Sequence, residues 1–359
     1  MTVRAYIVDD SRTSRHLLSR MLHSDPGIEV VGEATDAETA LSRLPRVRPD
    51  IVLMDVVMPG MGGLEATRIL MRDQPMPIVL VSELVGARAD LNFQALDLGA
   101  LDLLRKPTLE QSRDPTQQRR FCRTIRMLSE IPVVGRAVTR RKERRNSLPG
   151  LGAQPTLLCI GASTGGPRAL GVILGELGPS FPLPVVIVQH IAAGFGRGMA
   201  DWLSDVTQVP VSVATDGETP EPGRAYLAPE ARHLEMRGST LHIGHGRPIG
   251  GYRPSVDRFF QTVAASPNGS STLAVLLTGM GQDGAHGLLR LRRAGAWTAA
   301  QDERTSVVFG MPRAAVELNA AVEVLPVDRI APRVRSFCSN PAPSRSKWSL
   351  LLGSISEST

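Results

Sequence analysis

The sequence predicts an α/β protein in two units, each built on a mostly parallel sheet. Short apolar runs alternate with helix-length amphipathic segments twice over, once on each side of a basic stretch at 131–154. At 359 residues the chain has room for two domains of ordinary size. Its 42% apolar and 21% charged content suits domains with real cores and excludes wholesale disorder.

The first unit is expected over 1–130. Its apolar runs are Ala5–Val8, Ile28–Val31, Ile51–Met54, Ile78–Val81 and Leu101–Leu104. Amphipathic segments lie near 12–41, 36–44, 63–72 and 86–98. Five strands alternating with helices predict a five-stranded, parallel, doubly wound sheet. The second unit is expected over 155–338, with runs Thr156–Ile160, Pro184–Val188, Leu273–Leu277 and Ala296–Ala300. Helical patterns follow near 166–177, 196–205, 284–293 and 311–320. Between about 211 and 244, VSVA, RAYLAP, RHLEM and LHIG are short and separated by turns, which predicts an antiparallel edge insert. The tail, 339–359, has no clear period and is expected to be mobile.

The formal charge of +6 is unevenly spread. Arg105 to Arg145 holds thirteen Lys/Arg and four Asp/Glu, a local +9, so the rest of the chain is −3. The excess peaks in TRRKERR (139–145) and runs into NSLPGLGAQP, the composition of an exposed linker. No aromatic, helix-turn-helix or finger pattern accompanies it, so a solvated linker is expected rather than a DNA-binding arm, and no specific nucleic-acid partner. No apolar run approaches the roughly 18 residues of a spanning helix, so no membrane insertion is expected. The start, MTVRAYIVDDSR, lacks the basic start and apolar run of a secretory signal, so none is expected there. Cys122, Cys159 and Cys338 are odd in number and far apart, which fits a reducing cytoplasm rather than a disulfide framework or a zinc site.

Ligands gather at the C-terminal ends of strands in open parallel sheets. In the first unit Asp9 and Asp10 end the first strand, Asp55 the third, Ser82 the fourth and Lys106 the fifth. Any one of these aspartates alone would read as a cap or turn residue. Three converging carboxylates repel each other unless a hard cation such as Mg²⁺ sits among them. An ammonium and a hydroxyl nearby complete a site able to hold a phosphoryl group on a carboxylate.

In the second unit, a strand runs into Gly161-Ala-Ser163-Thr-Gly165 and then a helix. This fits G-x-S-x-G, the turn that exposes a nucleophilic serine before a helix N-terminus. The loop lacks a P-loop lysine and fails G-x-G-x-x-G, which disfavours a nucleotide site. A base is needed, and His190 ends the run VVIVQH at the same sheet edge. An orienting carboxylate comes from LLTGMGQDGAHG (276–287), which carries Asp283 and glycines that let backbone N–H groups near Met280 face a substrate oxygen. His286 and Asp257 are the competing choices; His286 lies inside a predicted helix, and Asp257, after RPSV, reads as a cap.

Residues 1–125 resemble the receiver domain of bacterial two-component response regulators, through VDDS (8–11), LMDVVMPGMGG (53–63), LVSE (80–83) and LRKP (104–107). The resemblance implies a flavodoxin-like fold, Asp55 as phospho-acceptor, and Asp9, Asp10 and Asp55 around Mg²⁺. It makes Ser82 and Lys106 the phosphoryl switch. Leu103 and Leu104 occupy the stretch where receivers often carry an aromatic. Residues 156–335 resemble the chemotaxis protein-glutamate methylesterases of the CheB family, through IGASTGGP (160–167), VQHI (188–191), AYLAPEARHL (225–234), RPSVDRFF (253–260), LLTGMGQDGAHG and QDERTSVVFGMPRAA (301–315). That resemblance implies a Rossmann-like α/β methylesterase domain with Ser163, His190 and Asp283 as a triad. Met280 then serves the oxyanion, together with an N–H of the serine turn, and Thr164 lines the site. It implies a phosphorylation-activated enzyme that demethylates, and also deamidates, methyl-accepting chemoreceptors, with a histidine kinase as phosphodonor and no cofactor for the ester chemistry. The alternative is a receiver-regulated docking module whose esterase-like domain is inactive.

Overall fold

The computed structural model describes residues 2–83, 93–96, 98–131 and 154–339. The expected linker (131–154) and tail (339–359) lie outside the described residues except at their ends. So does most of the amphipathic segment expected near 86–98, of which 93–96 is helical.

In the first unit β1 (Val3–Val8), β2 (Ile28–Ala34), β3 (Ile51–Asp55), β4 (Ile78–Ser82) and β5 (Asp102–Arg105) form a parallel sheet in the order β2-β1-β3-β4-β5. Every residue of β3 and β4 is buried, as the continuous apolar runs of a sheet covered on both faces require. Helices α1 (Arg12–Leu22), α2 (Ala37–Val47), α3 (Gly63–Asp73) and α4 (Pro115–Ser129) flank the sheet among the described residues. Ser11, Asp36 and Asp114 cap α1, α2 and α4 by accepting backbone N–H groups of their first turns. The first amphipathic stretch ends at Leu22 and not near 41. Asp25-Pro26-Gly27 breaks it, with the Asp25 carboxylate accepting the Gly27 N–H at 2.8 Å and the turn leading straight into β2.

In the second unit β6 (Leu157–Ala162), β7 (Val185–Gln189), β8 (Val211–Val213), β9 (Ala225–Leu227), β12 (Thr272–Leu276), β13 (Trp297–Gln301) and β14 (Glu323–Leu325) form one parallel sheet, ordered β14-β13-β12-β6-β7-β9-β8. The antiparallel part is smaller than the four segments expected. Among the strands of the described residues, only β10 (His233–Arg237) and β11 (Thr240–Gly244) pair antiparallel, as a separate hairpin. The three-residue strands β8 and β9 instead extend the parallel sheet, because β9 seats Ala225 between Val185 and Val211. Helices α5 (Gly166–Leu177), α6 (Gly196–Thr207), α7 (Val256–Ala264), α8 (Ala285–Arg293), α9 (Met311–Glu317) and α10 (Val327–Ser339) cover it. No helix among the described residues is long and apolar enough to cross a membrane.

The two units meet through buried aromatics. Phe93 of the first is 1% exposed; it stacks on Trp202 at 5.6 Å and meets Phe195 edge-on at 6.4 Å, both on or beside α6. Met280, Val307 and Val308 of the second unit join the apolar cluster that holds Leu104 and Phe121 of the first.

Candidate active site

Asp55 is the last residue of β3, and Lys106 directly follows β5, one strand beyond β4. The Lys106 ammonium stands 2.7 Å from Asp55 Oδ2 and 2.8 Å from Asp9 Oδ2. Asp9 Oδ1 accepts the Ser11 N–H at 2.9 Å. Burial pushes the Asp55 carboxyl up to about 6, against the pull of Lys106. Burial alone would lower Lys106, but the Asp55 and Asp9 carboxylates outweigh it and raise its pKa. One oxygen from each of Asp9, Asp10 and Asp55 can lie within 4.8 Å of the others. Three carboxylates gathered here, with one ammonium that pairs only Asp9 and Asp55, form a donor set that fits a hard divalent cation such as Mg²⁺. Ser82, buried at the end of β4, turns its hydroxyl to the Glu83 carbonyl at 3.1 Å, so the structure does not bring it onto Asp55.

The second site sits at the corresponding edge of the larger sheet. Ser163 leaves β6 in the turn before α5, and its own N–H donates to the Thr278 carbonyl at 3.0 Å. That N–H is therefore unavailable to an oxyanion, which leaves the expected N–H of the serine turn to another residue. The N–H groups of Thr164 and Met280 have no acceptor among the described residues. Gly279 packs against the serine: a Cβ there would lie 2.6 Å from Ser163 Cβ and 2.4 Å from Met311 Sδ, so only glycine lets this backbone approach. The loop is braced from β13 and beyond. Gln301 Oε1 accepts the Thr278 N–H at 2.9 Å, and the Gly279 carbonyl accepts the Met311 N–H at 2.9 Å.

His190 follows β7, its N–H on the Ala162 carbonyl of the neighbouring strand. The Gln189 amide bridges the Ser163 carbonyl (2.8 Å) and the His190 carbonyl (2.9 Å), tying the two turns together. His190 Nε2 lies 2.8 Å from Asp283 Oδ2. Asp283 also accepts the Val256 N–H (2.7 Å), the Ser255 hydroxyl (2.8 Å) and the Asp257 N–H (3.0 Å). Burial alone would raise its pKa, but His190 and these backbone donors hold it below the ordinary carboxylate range. An ionised Asp283 fixes the proton on Nε2. Nδ1 is then the basic nitrogen, buried and with no partner among the described residues. The Ser163 hydroxyl makes no hydrogen bond among the described residues, so serine and imidazole share a cavity without yet sharing a proton.

Neither competing residue takes the place of the triad. His286 is exposed on α8. Asp257 accepts the Gly287 N–H at 2.6 Å, capping α8 from α7, while Ser255 is the cap of α7 itself. Tyr252, Ser255, Thr278, Gln189 and Gln301 are site residues that sequence reasoning missed. Tyr252 and Ser255 lie at or beside the start of RPSVDRFF, and Gln301 opens QDERTSVVFGMPRAA, so the signal was present in stretches read for resemblance alone.

The cavity of about 430 Å³ that holds Ser163, Thr164, His190, Tyr252 and Met280 is walled on its other side by the first unit: Asp102, Leu104, Arg105, Arg120 and Phe121. Burial here pushes Asp102 up to about 6, partly offset by its bonds to the Leu103 N–H and the Thr164 hydroxyl.

Residues 158–334 match the family model for the CheB methylesterase, and residues 5–113 the model for the response regulator receiver domain. The chain is 42% identical over 346 residues to a Myxococcus xanthus protein named protein-glutamate methylesterase/protein-glutamine glutaminase 4, covering 93% of this chain and 96% of that one. A Geobacter metallireducens protein of the same name is 41% identical, covering 93% and 99%. Among solved structures, the Thermotoga maritima CheB methylesterase catalytic domain aligns with a TM-score of 0.49 and 37% identity, over 50% of this chain and 96% of that one.

Proposed function

The chain belongs to the CheB methylesterase family, with a receiver domain ahead of the esterase domain, and on that basis we propose a phosphorylation-controlled serine hydrolase acting on chemoreceptor glutamyl methyl esters. Ser163 Oγ attacks the ester carbonyl, and its proton passes to His190 Nδ1. The developing oxyanion is met by the N–H groups of Met280 and Thr164. The imidazolium, held by Asp283, returns the proton to the departing methoxide, and methanol leaves. Water, deprotonated by the same nitrogen, then cleaves the acyl-enzyme to give glutamate. A receptor glutamine enters the same sequence and releases ammonia, so deamidation is the second activity. The observation that carries this reading is the His190–Asp283 contact, which leaves Nδ1 buried and without a partner among the described residues, in the cavity that holds Ser163.

Asp55 is the phospho-acceptor, with a histidine kinase as donor in the cytoplasm. Asp9, Asp10 and Asp55 would hold Mg²⁺, which offsets phosphoryl charge. Lys106 links that event to the esterase. It holds Asp55 and sits at the end of β5, whose Asp102, Leu104 and Arg105 wall the active-site cavity. A phosphoryl group on Asp55 adds charge that competes for Lys106, and the docked arrangement of β5 loses its anchor. The test is methanol release from methylated receptor. Ser163→Ala should abolish it, and acetyl phosphate with Mg²⁺ should raise it in the intact chain.

A further inference from the structure

We infer that Tyr252 is a positioning residue for this chemistry, its ring holding the His190 imidazole and its hydroxyl bracing the Met280 loop. The inference rests on His190 being the base. The two rings stack with centroids 4.2 Å apart and planes 10° from parallel. The Tyr252 hydroxyl reaches the Met280 carbonyl at 3.4 Å, and a Cβ at Gly281 would stand 2.8 Å from that hydroxyl. One side chain therefore touches both the base and the backbone offered to the oxyanion.

The sequence builds this placement deliberately. Ile249 and Tyr252 exchange backbone hydrogen bonds of 2.9 and 3.0 Å across Gly250 and Gly251, at φ +58° and +87°. Both φ values are positive, as a two-residue hairpin turn of the primed type demands, and glycine supplies them without strain. Three residues on, Ser255 bonds Asp283. A single short segment thus sets the base from one side and its carboxylate from the other.

An aromatic face against an imidazole favours the cationic ring, since the face carries partial negative charge. The effect falls wherever imidazolium forms, in taking the serine proton and in delivering it to the leaving group, and only the second of these steps separates one ester from another. Methoxide needs that proton, whereas nitrophenolate leaves without it.

The experiment compares full-length Tyr252→Leu, Tyr252→Phe and Ser163→Ala proteins, activated with acetyl phosphate and Mg²⁺, on a glutamyl methyl ester and on a nitrophenyl ester. Tyr252→Leu should lose about tenfold more kcat on the methyl ester than on the nitrophenyl ester, with KM within about twofold. Tyr252→Phe should restore most of that difference. Equal losses on both esters, or no loss, would overturn the inference while an inactive Ser163→Ala still upholds the serine reading. Ester hydrolysis by Ser163→Ala at the normal rate would sink that reading itself.

Discussion

Asp102 offers a quantitative test of the docked arrangement. Its carboxyl is held near 6 in the structure and would return to about 3.8 once the receiver leaves the esterase face and water surrounds it. That difference of about two units corresponds to about 3 kcal/mol for a fully buried group at roughly 1.4 kcal/mol per unit. Asp102 is only half-buried, so about 1–2 kcal/mol is the fair figure after solvent screening, or about 5- to 30-fold in the docked-to-undocked ratio. The docked state binds the proton more tightly. Docking is therefore strongest below the undocked value, weakens as pH rises from about 4 to about 6, and is weakest above 6. Asp102→Asn removes the charge and keeps a group able to bond Thr164. At pH 7.5 the unphosphorylated variant should show about 5- to 30-fold less methanol release than wild type, each normalised to its own phosphorylated maximum. The gap should narrow at pH 5.5, where wild-type Asp102 is largely protonated. A variant as active as wild type at pH 7.5, or a gap that widens on acidification, would refute the reasoning.

Three further outcomes follow from the same geometry. Phe93→Ala removes a buried ring that meets Phe195 and Trp202, worth about 2–4 kcal/mol of contact, and should raise basal activity of the unphosphorylated chain at least tenfold in a methanol assay. The docked cavity of about 430 Å³ can admit a small ester but not a receptor helix about 10 Å across. A small methyl ester should thus be hydrolysed within about threefold equally with and without acetyl phosphate, while receptor demethylation responds strongly. Asp283→Asn should cut kcat by about 10³–10⁴ with little change in KM, because an amide donating to Nε2 moves the proton onto Nδ1 and removes the base.

Much of this was legible in the sequence, for identifiable reasons. Strand cores such as Ile51–Asp55 are buried on both faces, so they stand out as continuous apolar runs. Strand-end positions put Asp9, Asp55 and Lys106 together, and the glycine turn at Ser163 marks the second sheet edge. Helix α4 was lost in its charge: only Cys122, Ile125 and Leu128 are buried, within a run of arginines. Helix α10 carries Pro332 within it and shows a similarly thin apolar stripe. Strands β8 and β9 have three residues each, too few to reveal whether they pair parallel. The donors to Asp283 come from 26–28 residues away, and Tyr252 finds its ring partner 62 residues earlier; such contacts leave no periodic trace. The docking of receiver on esterase is of the same kind, since Phe93 reads as an ordinary core aromatic until Trp202 is placed beside it.

The most direct measurement of the central claim is methanol release from methylated receptor by the full-length chain, with and without acetyl phosphate and Mg²⁺, beside Ser163→Ala and Asp55→Asn. Release that rises several-fold on phosphorylation, is lost in Ser163→Ala and stays at the basal rate in Asp55→Asn is the predicted result. Release by Ser163→Ala at the wild-type rate, or no response to acetyl phosphate in the wild-type chain, would contradict it.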